Sequence, residues 1–96
     1  MNFETEASFQ SAVIDYAELR GWRVYHVPDS RKVQRTGKGF PDLVMARWGI
    51  LVFAELKTDT GRLSPAQLEW RDAMEIDADF RVWRPKDWER IKECLE

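Results

Sequence analysis

Residues 39–57 (GFPDLVMARWGILVFAELK) hold two apolar runs separated only by Arg47-Trp48-Gly49. So short a connection forces the runs into an antiparallel hairpin, because parallel strands need a crossover of a dozen residues or more. The first run, 42–46, opens on Pro41-Asp42, and the second, 50–56, closes on Glu55-Leu56-Lys57. In a tight hairpin the start of one strand lies beside the end of the next, which sets Asp42 next to Glu55. Two carboxylates about 4 Å apart repel by about 4 kcal/mol at an effective dielectric of ~20. A proton, a cation or distance has to offset that repulsion, and a hard divalent ion with oxygen ligands does so well. The Leu56 carbonyl is a further oxygen donor on the same edge. Glu55 and Lys57 are two apart and project to one face, their backbones about 7 Å apart, with Phe53 further in. An ammonium beside such an ion can position a water or stabilise charge growing on a phosphate. The plain alternative is a surface Glu-Lys pair, worth under about 1 kcal/mol. A Glu-x-Lys triplet alone is common; its pairing with a Pro-Asp strand start is more specific.

Residues 4–20 form an amphipathic helix, with Phe9, Ala12, Val13, Tyr16 and Ala17 at helical spacing and Gly21 as the stop. Glu6 falls on the apolar stripe of that helix. A carboxylate there is either a first-turn acid favoured by the helix dipole or part of a site. Residues 22–27 (WRVYHV) alternate as a strand ended by Pro28-Asp29-Ser30. His26, the sole histidine, reads as structural. Residues 31–39 lack periodicity and form a loop. Arg31, Lys32, Arg35 and Lys38 lie in it without an intervening acid, which suits phosphate contacts; a solvated charge run is the alternative. The unalternating run 50–54 marks a strand covered on both faces. After a polar loop, Ser64-Pro65-Ala66-Gln67 supplies an N-cap, a proline at N1 and a glutamine at N3, starting a helix that runs to about residue 75. Gln67 either completes a capping box or also faces the site. Residues 80–83 (FRVW) are a strand, and Asp87 caps a last helix with Trp88, Ile91 and Leu95 along one side.

The order is therefore αβββαβ with a terminal helix: an α/β chain whose central mixed sheet is flanked by helices. The helical crossover between the third and fourth strands lets them lie parallel. Ninety-six residues suit one domain, spanning 1–96. One cysteine, Cys94, excludes an intrachain disulfide and a cysteine-based zinc site. No apolar run could span a membrane, and the N-terminal residues lack a signal peptide's basic and apolar regions, so the expected location is cytoplasmic. A net charge of −2 argues against non-specific coating of nucleic acid, although the charge is segregated: loop 31–38 is basic and residues 69–79 are mainly acidic.

Pro41-Asp42 with Glu55-Leu56-Lys57 resembles the PD-(D/E)xK nuclease superfamily. Thr5-Glu6 with Phe9-Gln10, then 39–43 (GFPDL), Glu55-Leu56-Lys57 and 61–67 (GRLSPAQ) are similar, in order and over almost the whole chain, to the VRR-NUC family in its small stand-alone, phage-type form. The resemblance implies a restriction-endonuclease-like fold. It implies Asp42, Glu55, the Leu56 carbonyl and Glu6 as the acids and oxygen donors of a metal site, Lys57 as the catalytic lysine, and Gln67 as a group steering Lys57 or a water. It implies a Mg2+- or Mn2+-dependent, structure-selective DNA endonuclease, similar to Holliday-junction resolvases that act as homodimers. Symmetric cutting of a junction needs two sites related by a two-fold. Trp48, at the hairpin turn, is the tryptophan expected to be exposed and available to an interface. The alternatives are a nuclease of the same fold acting on flaps, ends or duplex DNA, and a non-catalytic nucleic-acid-binding domain.

Overall fold

The computed structural model describes residues 3–28 and 35–96. Helix α1 (Glu6–Leu19) starts from Thr5, whose side chain accepts from Ser8 N–H while the Ser8 hydroxyl accepts from Thr5 N–H. It stops at Gly21, at φ 89°, with Gly21 N–H bonded to Glu18 O and Trp22 N–H to Ala17 O, the two bonds of a Schellman motif. Strands β1 (Arg23–His26), β2 (Leu43–Arg47) and β3 (Ile50–Leu56) follow, then α2 (Pro65–Met74), β4 (Asp79–Trp83) and α3 (Trp88–Leu95). Short 3-10 turns lie at Arg35–Gly37 and Pro85–Asp87. The sheet order is β1-β2-β3-β4, antiparallel except for the β3/β4 pair, which is parallel. This is the αβββαβ mixed sheet with a terminal helix that the sequence implies.

The side-chain period of two divides the sheet into two faces. Leu43 and Met45 of β2 and Val52, Ala54 and Leu56 of β3 are buried on one face against Phe9, Val13 and Ala17 of α1 and Ile91 and Leu95 of α3. The other face carries Phe53 and Glu55 toward α2. There Phe40 stands edge-on to both Phe53 and Trp70, with centroids 6.0 and 4.9 Å away.

The expectation that residues 50–54 are covered on both faces holds only toward the end of that run. Ile50 and Leu51, on opposite faces at the turn end, are 49% and 47% exposed: α2, ten residues long, covers the Leu51 face only near Glu55, and Ile50 borders an open groove with Trp22 and Cys94 on the other face. The turn itself is the two-residue Trp48-Gly49, both at positive φ (53° and 80°), the type I′ signature. Trp48 is 81% exposed. The Arg47 guanidinium lies over both the Trp22 and Trp48 rings, at 4.6 and 4.0 Å, and donates to the carbonyls of Arg20 and Glu96, tying the ends of α1 and α3 to the hairpin. Asp87 stands at the start of α3 as expected, but its side chain makes no cap bond to that helix. Its carboxylate accepts instead from Arg84 N–H across the preceding 3-10 turn. Among the described residues no helix is long and apolar enough to cross a membrane.

Candidate active site

The hairpin register pairs Leu43 with Ala54, so β2 ends its ladder one residue short of Asp42. Pro41 has no N–H and cannot extend the ladder. The Asp42 side chain takes over: its Oδ2 accepts from Leu56 N–H at 2.8 Å. A strand residue turns its N–H and C=O to the same side, so the Leu56 carbonyl faces the same edge as the Asp42 carboxylate. One Asp42 oxygen is thus occupied by the backbone.

Glu55 follows from the same strand. It is 2% exposed, the only buried charged residue among those described. Its carboxyl pKa is pushed from an ordinary 4.5 to about 9. Burial is the first cause. The negative charge of Asp42 comes next, then the hydrogen bond to Asp42 that a protonated Glu55 makes; Lys57 opposes these and Glu6 adds slightly. Without a cation, therefore, the Asp42–Glu55 pair keeps a proton at neutral pH. That answers the repulsion anticipated from the sequence.

Gln67 both caps α2 and faces Glu55. Its Oε1 accepts from Ser64 N–H at 2.8 Å while its own N–H donates to the Ser64 hydroxyl at 3.2 Å, completing the capping box of α2. Its Nε2 donates to Glu55 Oε2 at 3.1 Å. The amide's orientation is fixed by the helix cap, so its donor end is set on the carboxyl.

The structure brings Asp42, Glu55 and Gln67 into contact. It leaves Glu6 exposed at the first turn of α1, acting on Glu55 through its charge. Glu6 and Lys57 line a cleft of about 200 Å³ with Phe3, Thr5, Thr58 and Pro85. A larger groove of about 570 Å³ lies at the far end of the sheet, over Trp22, Arg47 and Cys94, and holds none of these residues. Among the described residues no three His, Cys, Asp or Glu side chains gather as a metal-holding group, so the oxygen donors on hand are the two carboxyls and the Leu56 carbonyl. These are hard ligands of the kind Mg2+ and Mn2+ take, and a divalent ion would displace the shared proton, so the site fits such an ion.

Of the basic loop, Arg31 and Lys32 lie outside the described residues, and Arg35 begins the 3-10 turn. Lys38 is exposed, and its carbonyl accepts from Trp70 Nε1 at 3.0 Å. Gly39, at φ 84°, lies against α2 so closely that a Cβ there would meet the Ala66 carbonyl carbon at 2.5 Å. Sequence reasoning assigned no site role to Trp70 and noted Gly39 only as a flank. The signal for Gly39 was a glycine directly before the Phe-Pro-Asp strand start; Trp70 gave none, since one aromatic on a helix looks like core.

No family model matches the chain, and no curated protein matches it in sequence. A solved structure titled "VRR_NUC domain" is 23% identical and superposes with a TM-score of 0.72, covering 92% of this chain and 94% of the other. Over nearly its whole length, then, this chain has the fold of that VRR_NUC domain.

Proposed function

We propose that the chain is a VRR-NUC nuclease, a Mg2+- or Mn2+-dependent DNA endonuclease selective for branched structure, acting as a homodimer in the cytoplasm. The observation that carries this is the buried Asp42–Glu55 carboxyl pair, held by Leu56 N–H and Gln67 Nε2 beside a lysine. Buried charge without a partner is strongly unfavourable, so a fold keeps such a pair for a ligand. The resemblance to VRR-NUC motifs and the shared fold support the same reading.

Asp42, Glu55 and the Leu56 carbonyl would hold the ion, which when bound supplies charge stabilisation to the reacting phosphate. Gln67 orients the Glu55 carboxyl so that one oxygen is engaged and the other free. Lys57 places an ammonium beside the reacting phosphate, where negative charge develops during phosphodiester hydrolysis. Glu6, across the cleft from Lys57, adds negative potential that favours cation entry. Exposed Trp48, Tyr25 and Leu51, the latter two on the open sheet face, offer apolar surface to a second copy, and two copies would place two cutting sites on one junction.

Purified protein is expected to cut a four-way junction faster than a flap, a fork or a linear duplex of shared sequence. Equal rates on all four would sink structure selectivity. No cutting of any of them with either ion would favour the non-catalytic binding module. Lys57→Ala is expected to leave the melting curve within about 0.5 kcal/mol of wild type and to lower kcat by about 1,000-fold. Replacing Arg31, Lys32, Arg35 and Lys38 by alanine should weaken DNA binding and reduce the slope of log K against log salt by up to about 3.6. An unchanged slope would remove the loop from the DNA interface.

A further inference from the structure

Strand β3 ends at Leu56, so Lys57 is the first residue beyond the ladder. A lysine on a strand end would have a soft base unless the chain after it were held. One backbone bond remains, from Lys57 N–H to Trp83 O at 3.0 Å. The next residue after Trp83 supplies the rest. Arg84 reaches back with Nη1 to Thr58 O at 2.6 Å and to Gly61 O at 2.7 Å. Gly61 N–H closes the turn on Thr58 O at 3.3 Å. Lys86 N–H donates to Asp59 Oδ1 at 3.0 Å.

The frame making these bonds is itself fixed, because Arg84 N–H is held by Asp87 Oδ2 at 3.0 Å. The turn folds against the lysine: a Cβ on Gly61 would stand 2.8 Å from Thr58 Oγ1 and 3.6 Å from Lys57 Cδ. Residues 84–87 thus grip residues 57–61 from the far side of the cleft that Lys57, Thr58, Asp59 and Pro85 line together. A guanidinium suits this task, since one nitrogen carries two N–H donors and can bind the Thr58 and Gly61 carbonyls together.

We propose that Arg84 is a positioning residue for Lys57. Its hold on the Thr58 and Gly61 carbonyls fixes the backbone from which the lysine reaches the reacting phosphate. The proposal rests on the nuclease reading of the site. It assigns a purpose to the β4–α3 connection, which none of the sequence motifs contains.

Arg84→Met keeps most of the side-chain stem and removes both hydrogen bonds. Amide hydrogen exchange at Lys57 and Gly61 is expected to quicken by about tenfold or more, while Met45 and Val52 keep their protection. In cutting assays kcat should fall on the order of 100-fold with KM unchanged, since a misplaced group loses transition-state contact rather than substrate binding. In a Lys57→Ala background the same change should cost nothing further, because Arg84 acts only through that lysine. Unaltered exchange at Lys57 and Gly61 would overturn the proposal. So would a loss confined to KM, or a full additional loss on top of Lys57→Ala, either of which marks a direct phosphate contact. If wild-type protein cuts no DNA, the nuclease reading falls, and the exchange measurement still decides whether Arg84 holds the turn.

Discussion

Glu55→Gln is expected to abolish DNA cutting and, at the same time, to make the metal-free protein more stable above neutral pH. Both effects come from one buried carboxyl. Its pKa in the fold is about 9 against an ordinary 4.5, so between those values the folded chain holds one more proton than the unfolded chain. Stability from this group is therefore fully present below about pH 4.5 and is lost as pH rises toward about 9. That is opposite to the usual effect of a salt-bridged carboxylate. Glutamine keeps the shape, can accept from Gln67 and can donate to Asp42, yet carries no proton to lose. At pH 8 the variant should gain on the order of 2–4 kcal/mol, read from denaturant midpoints. Its stability should be nearly flat across the range where wild type declines. Calorimetry supplies the counterpart: Mn2+ binding to wild type at pH 7.5 is expected to release about one proton, from runs in buffers of different ionisation enthalpy. Glu55→Gln should show neither binding nor release. A variant less stable than wild type at pH 8 would mean that Glu55 is not held protonated.

Gly39→Ala is expected to be the most damaging single methyl in the molecule. The residue is at φ 84°, where an L side chain is strained, and the added carbon would lie 2.5–2.7 Å from the backbone and Cβ of Ala66. Neither neighbour is a flexible side-chain tip that could swing away. Strain and overlap together should cost about 2–4 kcal/mol and lower the melting midpoint by roughly 10–20 °C. The damage should reach the site, because Ala66 precedes Gln67 and shifting it draws the amide off Glu55. Loss of the Trp70–Lys38 bond would loosen the basic loop as well. Thermal denaturation and a salt titration of DNA binding check both consequences. A midpoint within a few degrees of wild type would show that α2 can retreat from the loop.

How much of this was legible in the sequence follows the range of each interaction. The hairpin placed Asp42 beside Glu55 because strand adjacency across a tight turn is a local rule. The caps at Ser64 and Gly21 were readable for the same reason. Gln67 was half legible: its capping role is local, whereas its bond to Glu55 needs α2 folded back over the sheet. Asp87 was placed correctly at a helix start, but its partner depended on a 3-10 turn that no pattern announced. Covering of residues 50–54 was overestimated, since apolar content cannot say how far a helix of the next layer reaches. Arg84, Trp70 and the packing of Gly39 were invisible, because each acts across contacts between segments distant in the chain.

We propose the Asp42–Glu55 pair as the ion site of a DNA-cutting enzyme. The most direct test of this is one cleavage assay on a labelled four-way junction. Wild type, Glu55→Gln and Lys57→Ala would be incubated with Mg2+, Mn2+ or a chelator. The expected result is cutting by wild type with either ion, none with the chelator, none by Glu55→Gln, and only a trace by Lys57→Ala, with junction binding retained by both variants. Cutting in the chelator, or cutting by Glu55→Gln at a rate near wild type, would contradict it.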